Sequence, residues 1–197
     1  MAGEIRVWRA AGLDGVELHR GRRVTRRVPG HWHEEYQLCL IQGGSGELFY
    51  RGAFHSSPAG SLFIVHPGEV HSNRATADSG CDYRTLNAAP ELMRQAAFAA
   101  GAAGGNEPFF PTPVLMEGDT LRRFLSLHRL LEGPGSRLER DSVLLDTMTG
   151  LVERHAENPP APRRDGREPG AVARARECIE AHYAEEIPLG GWPASPA

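Results

Sequence analysis

No stretch of this 197-residue chain approaches the roughly 18 consecutive apolar residues that a membrane-spanning helix requires. A membrane is therefore not an expected partner. The N-terminal run M-A-G-E-I-R-V-W-R lacks the unbroken apolar core of a signal peptide, and a cytoplasmic, soluble protein is expected. Cysteine is scarce: the three residues Cys39, Cys81 and Cys178 lie far apart with no C-x-x-C spacing. That excludes a disulfide frame or a zinc ribbon and reads as free thiols in a reducing compartment. An excess of positive charge is missing too. The formal net charge is −3, so no global basic field points to nucleic acid. Local arginine groups (Arg22, Arg23, Arg26, Arg27; Arg163, Arg164, Arg167) are balanced elsewhere. There are no internal repeats. The length suits one ordinary domain with room for a second small or incomplete one.

What the chain does have is a concentration of histidine. Five of its nine histidines (His31, His33, His55, His66, His71) fall between Gly30 and Asn73. They sit among short alternating runs broken by Gly and Pro, which places them on strands and turns. Candidate strands cover Ile5–Trp8 and Val16–His19, and Arg22–Val28 reads as a solvated strand edge. One strand is expected from His31 to Gln42. Its alternation would put His31, His33, Glu35, Gln37, Cys39 and Ile41 on one face, with Trp32 and Tyr36 on the other, packed under helices. Gly43–Gly46 makes a tight turn into a strand at Glu47–Arg51, and Gly52 makes the next turn. Further strands are expected at Ser61–His66, Val70–Arg74 and Asp82–Ala88. Short strands with regular turn signals argue for an all-β barrel or sandwich.

After Pro90 the period changes to that of helices. A short helix is expected at Glu91–Ala100, ended by Gly101. A second begins at Asp119, the expected cap, and carries Leu121, Phe124, Leu125, His128 and Leu131 on one stripe. Gly133-Pro134-Gly135 separates it from a third, about Arg137 to Ala156, with Leu144, Met148, Leu151 and His155 aligned. The two form an antiparallel hairpin. Its stripe either packs on the barrel or meets the same hairpin of a second chain. Residues 157–170 hold four prolines and no aliphatic residue larger than alanine, the composition of an interdomain linker. A last helix is expected at Ala171–Glu186. The expected organisation is a barrel at 1–89, a helical segment at 90–156, the linker, and the start of a further domain at 171–197.

The central stretch resembles the cupin motifs. His31-Trp32-His33, then Gln37 and Gly44, follow the second half of the first motif, with Gln where the pattern has Glu. Gly60, His66-Pro67-Gly68 and His71 follow the second, with His66 at its proline position and Ala75 at its asparagine position. A small cupin barrel, a helical hairpin, a Pro-rich linker and the helix A-R-E-C-I-E-A-H-Y-A-E-E-I-P-L together resemble the AraC family of bacterial transcription regulators. The resemblance covers about residues 25–189. It implies a mainly β fold with α, a cupin-like jelly-roll barrel followed by an antiparallel helical hairpin. It also implies a small-molecule effector, a homodimer, and helix-turn-helix units that read DNA. After Leu189, Gly190-Gly191-Trp192-Pro193 departs from the family pattern. The helix-turn-helix domain is expected to be truncated here, by a frameshift or a genuine end, so DNA is a partner only of a full-length form.

The resemblance also implies site residues. His31, His33 and His71, with Gln37 as a weak fourth, match the cupin metal ligands. Gln in place of Glu leaves a nitrogen-rich set suited to Zn or Ni rather than Fe or Mn, and Glu35 is a possible substitute. No cofactor is required, and a metal-free polar pocket lined by the same histidines is the other reading. The expected pocket residues are His33, Gln37, Cys39, Phe49, Arg51, Ile64 and His71, with parity anchored on an inward His33. His55 is expected in an exposed turn and His66 as a packing residue at the barrel rim. The expected dimerisation surface is Leu121, Phe124, Leu125, His128, Leu144, Met148 and Leu151. The resulting reading is a non-enzymatic sensor, the alternative a stand-alone metal-dependent cupin dioxygenase or isomerase.

Overall fold

A computed structural model describes residues 3–10, 12–102 and 107–157. The chain divides into two units, Met1–Pro162 and Arg163–Ala197, and every described residue belongs to the first. The expected linker, beyond Glu157, and the expected last helix lie outside the described residues.

In chain order the strands are β1 (Glu4–Arg9), β2 (Val16–Val24), β3 (Val28–His31), β4 (Tyr36–Gly43), β5 (Ser45–Tyr50), β6 (Ala53–Pro58), β7 (Ser61–Val65), β8 (His71–Ala75), β9 (Cys81–Ala88) and β10 (Val114–Leu115). They form two sheets, β1-β2-β9-β4-β7-β10 and β3-β8-β5-β6, and the pairings are antiparallel. Without the flanking β1 and β10, the two four-stranded orders are β2-β9-β4-β7 and β3-β8-β5-β6. From β2 to β9 the chain alternates between sheets except at the β5–β6 hairpin. That order is a jelly roll, the fold of the cupins.

The larger sheet is buried on both faces, which explains why β4 and β7 carry apolar residues at nearly every position. Tyr36, Leu38, Leu40, Leu62 and Ile64 point to a core shared with the helices. Cys39, Ile41, Phe63 and Val65 point the other way, to a second core between the sheets with Leu48 and Tyr50. Each fully buried leucine stabilises the fold by roughly 1.5–3 kcal/mol relative to exposure.

Three helices, α1 (Pro90–Ala100), α2 (Gly118–Glu132) and α3 (Arg137–His155), cover the larger sheet. Proline at the first position of α1 loses no intrahelical hydrogen bond there. Gly101, at φ 100°, ends α1 and donates its N–H to the carbonyls of Ala97 and Phe98. The cap of α2 is Glu117 rather than Asp119. Its carboxylate accepts from the Asp119 and Thr120 N–H groups at 2.9 and 2.8 Å. Ser136 Oγ caps α3 by accepting from Glu139 N–H at 3.1 Å.

The expected single strand from His31 to Gln42 is two strands on different sheets. β3 ends at His31, the chain crosses through 32–35, and β4 starts at Tyr36. Gly68 N–H, donated to the His33 carbonyl at 2.8 Å, ties the crossing down. His31 and Gln37 therefore share no strand face. Tyr36 packs under the helices as expected, whereas Trp32, on the crossing, is 60% exposed. His55 belongs to β6, not to a turn.

Candidate functional site

The β3–β8 register sets His31 directly opposite His71, and the crossing brings His33 to the same place. One ring nitrogen from each of the three lies within 4.8 Å of the other two. Ring centroids are 4.2 Å apart for His31 and His71, and 4.9 Å for His33 and His71. Each Nδ1 faces a backbone carbonyl two residues away: Pro29 at 2.9 Å, Glu35 at 2.8 Å and Glu69 at 3.1 Å. A neutral imidazole that donates from Nδ1 presents a lone pair at Nε2. The Nε2 atoms of His33 and His71 are buried with no hydrogen-bond partner.

Burial pushes the His71 imidazole down to about 4 and also lowers that of His33, so both are neutral near pH 7. Converging imidazoles fixed from outside are the donor set that a divalent metal takes up, and backbone carbonyls on the far nitrogens are the usual second layer of such sites. The three histidines thus fit the metal that the cupin fold implies. No carboxylate joins the group among the described residues, and Glu35 contributes only its carbonyl.

Beside this cluster lies a cavity of about 330 Å³ between the sheets, lined by His31, Gln37, Cys39 and Ile41 among others. Of the residues expected in a pocket, Gln37 and Cys39 line this cavity, and His33 and His71 belong to the cluster at its end. Phe49, Arg51 and Ile64 do not: Phe49 and Ile64 are corrections of parity, and Arg51 lies beyond the strand in a turn. On β5 it is Leu48 and Tyr50 that face inward. Phe49 lies outside, its ring 4.8 Å from that of Phe54. On β7 Phe63 and Val65 face inward, and Ile64 joins the helix-side core.

Arg51 stands in the β5–β6 turn at φ 52°. It donates to Glu69 at 2.9 Å and to the Phe110 carbonyl at 3.2 Å. There it helps His66, which accepts from Phe110 N–H at 2.9 Å and bonds Tyr50 Oη at 2.9 Å, to fasten the 107–113 segment to the barrel. His66 is thus a structural clamp at the rim.

The cavity also has walls that the strand reading missed: Ile5 and Val7 of β1, Tyr83 and Thr85 of β9, and Phe63 of β7. The alternation of β9 alone puts Cys81, Tyr83 and Thr85 on one face, so half of that wall was available as a signal. Gly21 has a defined task here, because a Cβ at that position would overlap the Tyr83 ring. The bare backbone lets the ring lie against β2.

The expected dimerisation stripe is largely internal. Phe124, His128, Leu144, Met148 and Leu151 are buried in the chain's own core, and Leu121 and Leu125 are half-buried against it. The reason is that the hairpin stripe covers the outer face of the larger sheet. His128 is part of a buried polar network. Arg84 Nη1 donates to its Nδ1 at 2.9 Å and to Glu132 Oε2 at 2.7 Å. Its Nε2 faces the carbonyls of His19 and Thr85, both at 3.1 Å.

Residues 15–148 match the family described as the AraC-like ligand binding domain, and the chain belongs to that family. It is similar to an uncharacterised HTH-type transcriptional regulator of Bacillus subtilis (strain 168), YbfI, with 24% identity over 179 residues, 88% of this chain. The chain spans 62% of the length of that relative. Among solved structures it is similar to AerE from Microcystis aeruginosa, at 12% identity and a TM-score of 0.44 over 58% of this chain and 47% of that one. A cupin superfamily protein from Desulfitobacterium hafniense gives 12% identity and 0.38 over 45% and 81%. Oxalate decarboxylase variants from Bacillus subtilis are also similar, one at 17% identity and 0.40 over 45% and 26%. The jelly roll rests on the strand order itself. No helix among the described residues is long and apolar enough to cross a membrane.

Proposed function

We propose that this chain is the effector-sensing and dimerising part of an AraC-like transcription regulator of the bacterial cytoplasm. The barrel (1–89) takes a small molecule, and the helical segment (90–156) carries the signal outward. The linker (157–170) leads into a helix-turn-helix domain of which residues 171–197 are the beginning. The observation that carries this reading is a cavity between the sheets with a three-histidine donor set beside it, inside a ligand-binding family. In such a regulator the effector shifts an equilibrium between two arrangements by its different affinity for each. A homodimer leaves Leu121 and Leu125 as the part of the hairpin stripe available to a partner.

The three histidines take Zn or Ni in this reading. Three imidazole nitrogens without a carboxylate suit those ions better than Fe or Mn, and Zn²⁺ with three protein ligands keeps a position open for a ligand. The same feature weighs against a stand-alone dioxygenase or isomerase. Stoichiometric iron or manganese with oxygen uptake would support that alternative.

The test joins the chain to an intact helix-turn-helix domain that represses a reporter only as a dimer. Repression is expected, and it should change with ligands first selected for stabilising the chain. A fusion that stays monomeric, or that ignores every such ligand, refutes the proposal. In sedimentation Leu125→Glu should weaken the dimer, and a dimer left unaltered counts against that surface.

A further inference from the structure

We infer that the effector of this cavity is a small carboxylic acid with a hydrocarbon body, not a sugar; the inference rests on the sensing role proposed above. The cavity volume of about 330 Å³ has room for about ten water-sized groups at ~30 Å³ each. Along β4 its lining runs from Gln37 to Ile41, roughly 13 Å at 3.3 Å per residue. The histidine cluster lies at the Gln37 end.

Most of the wall is hydrocarbon and sulfur, Val24, Cys39, Ile41, Phe63, Cys81 and the Tyr83 ring, with Ser57 and Asn73 of the smaller sheet also lining it. Burial pushes both thiols up, Cys39 to about 12 and Cys81 to about 11, so they are neutral and act as small apolar surface. The polar groups of this lining are few, chiefly Gln37, Ser57, Asn73 and Thr85. Gln37 Nε2 faces Asn87 Oδ1 at 3.5 Å and so is already turned to a partner in the protein. A sugar carries a hydroxyl on nearly every carbon, and each one buried without a partner costs about 1–3 kcal/mol. So few polar groups would leave several of them unpaired, whereas an alkyl or aryl body loses nothing by entering.

The charge of the lining decides the head group. Among its charged side chains, Glu47 and Arg74 cancel in a 2.7 Å ion pair. Arg26, at the far end, makes no ion pair among the described residues. The histidine end holds two buried Nε2 lone pairs with nothing to meet, and a divalent ion there brings positive charge with an open position. Both ends therefore favour an anion, and a carboxylate on the metal at the histidine end is the arrangement assigned. Arg26 then lies over the tail end of the cavity.

The test uses the whole chain, loaded with zinc, and two probes with the same number of non-hydrogen atoms, octanoate and L-arabinose. Thermal unfolding reports binding. Mass spectrometry of alkylated Cys39 and Cys81 reports whether the cavity is filled, with no need for a variant. Octanoate at saturation should raise the midpoint and slow alkylation of both thiols by about tenfold, and L-arabinose should do neither. Chelating the zinc should weaken octanoate by about tenfold or more, a loss of about 1.4 kcal/mol. Protection by L-arabinose without protection by octanoate overturns the acid and leaves the sensing role standing. Protection by neither overturns it as well, and the zinc titration and the reporter then judge the sensing role separately. Protection by octanoate that survives chelation, but is lost in Arg26→Ala, overturns the placement of the carboxylate at the histidines.

Discussion

Truncating Glu132 to alanine should be among the most damaging single changes to a side chain that is not apolar. Glu132 is the last residue of α2, where the helix dipole disfavours a negative charge. It is held there by Arg84 at 2.7 Å and Arg20 at 2.9 Å. The Arg84 side chain is only 6% exposed and also donates to Gln42 Oε1 and His128 Nδ1, both at 2.9 Å. Removing one partner of a buried ion pair costs about 3–5 kcal/mol, because the other charge stays buried and unpaired. Glu132 is 18% exposed, and Arg84 keeps two neutral acceptors, so the lower figure of about 2–3 kcal/mol applies to Glu132→Ala. Replacing both partners, as Arg84→Met with Glu132→Leu, removes the unpaired charge and should recover about half of that loss or more. Asp146→Ala is the control. Its pair with Arg123 is 41% and 71% exposed, and such pairs contribute about 0.2–1 kcal/mol. Urea unfolding separates the cases: with a slope of about 1–3 kcal/mol per molar, Glu132→Ala should lower the midpoint by about 1 M or more. A shift no larger than that of Asp146→Ala, or a double variant worse than Glu132→Ala, would refute the account of a buried charge held by its partner.

The elements were more legible in the sequence than the pocket. The helices and most strands were placed within a few residues, because Gly and Pro punctuate the chain and the period changes at Pro90. The strand count gave an all-β barrel or sandwich, and the jelly roll came from the resemblance to the cupin motifs. The pocket was harder, for a geometric reason. Alternation tells which residues share a face within one strand, and it carries no information across a bend or from one strand to the next. His31 and Gln37 were placed on one face because nothing in W-H-E-E marks the crossing between sheets. The same anchor then assigned Phe49 and Ile64 the wrong parity. The hairpin stripe was read correctly as apolar, but a stripe does not say what covers it. Here the larger sheet does so, and Phe124, Leu144 and Met148 are spent inside the chain. Glu117 was passed over as a cap because Glu is an uncommon capping residue, although its two oxygens reach the Asp119 and Thr120 amides.

Stability should fall as the pH drops from about 6.5 to 4 through His128. Burial, and then the Arg84 charge, push this imidazole down to about 4 in the folded chain, against about 6.5 unfolded. In that window the unfolded state binds the extra proton, so its contribution is fully present above about 6.5 and lost below it, by up to about 3 kcal/mol. Urea midpoints of the parent and His128→Gln at pH 7 and pH 5 check this; an equal drop in both would discount His128. Zinc at one ion per chain should bind the parent and not His71→Ala, as measured by dialysis and metal analysis, because two of three nitrogens cannot close the site. Full stoichiometry in that variant would remove His71 from the ligand set. The last prediction concerns the ring that walls the cavity. Gly21→Ala sets a methyl into the space of the Tyr83 ring, and overpacking of this kind costs about 1–3 kcal/mol. Because β2 and β9 are paired at these positions, the backbone cannot easily yield and the ring must turn toward the cavity. Octanoate should then bind more weakly, and Tyr83→Ala added to Gly21→Ala should restore stability relative to the Gly21→Ala single variant. If Tyr83→Ala instead adds its full cost to that of Gly21→Ala, the two residues are not in contact and the cavity wall is drawn wrongly.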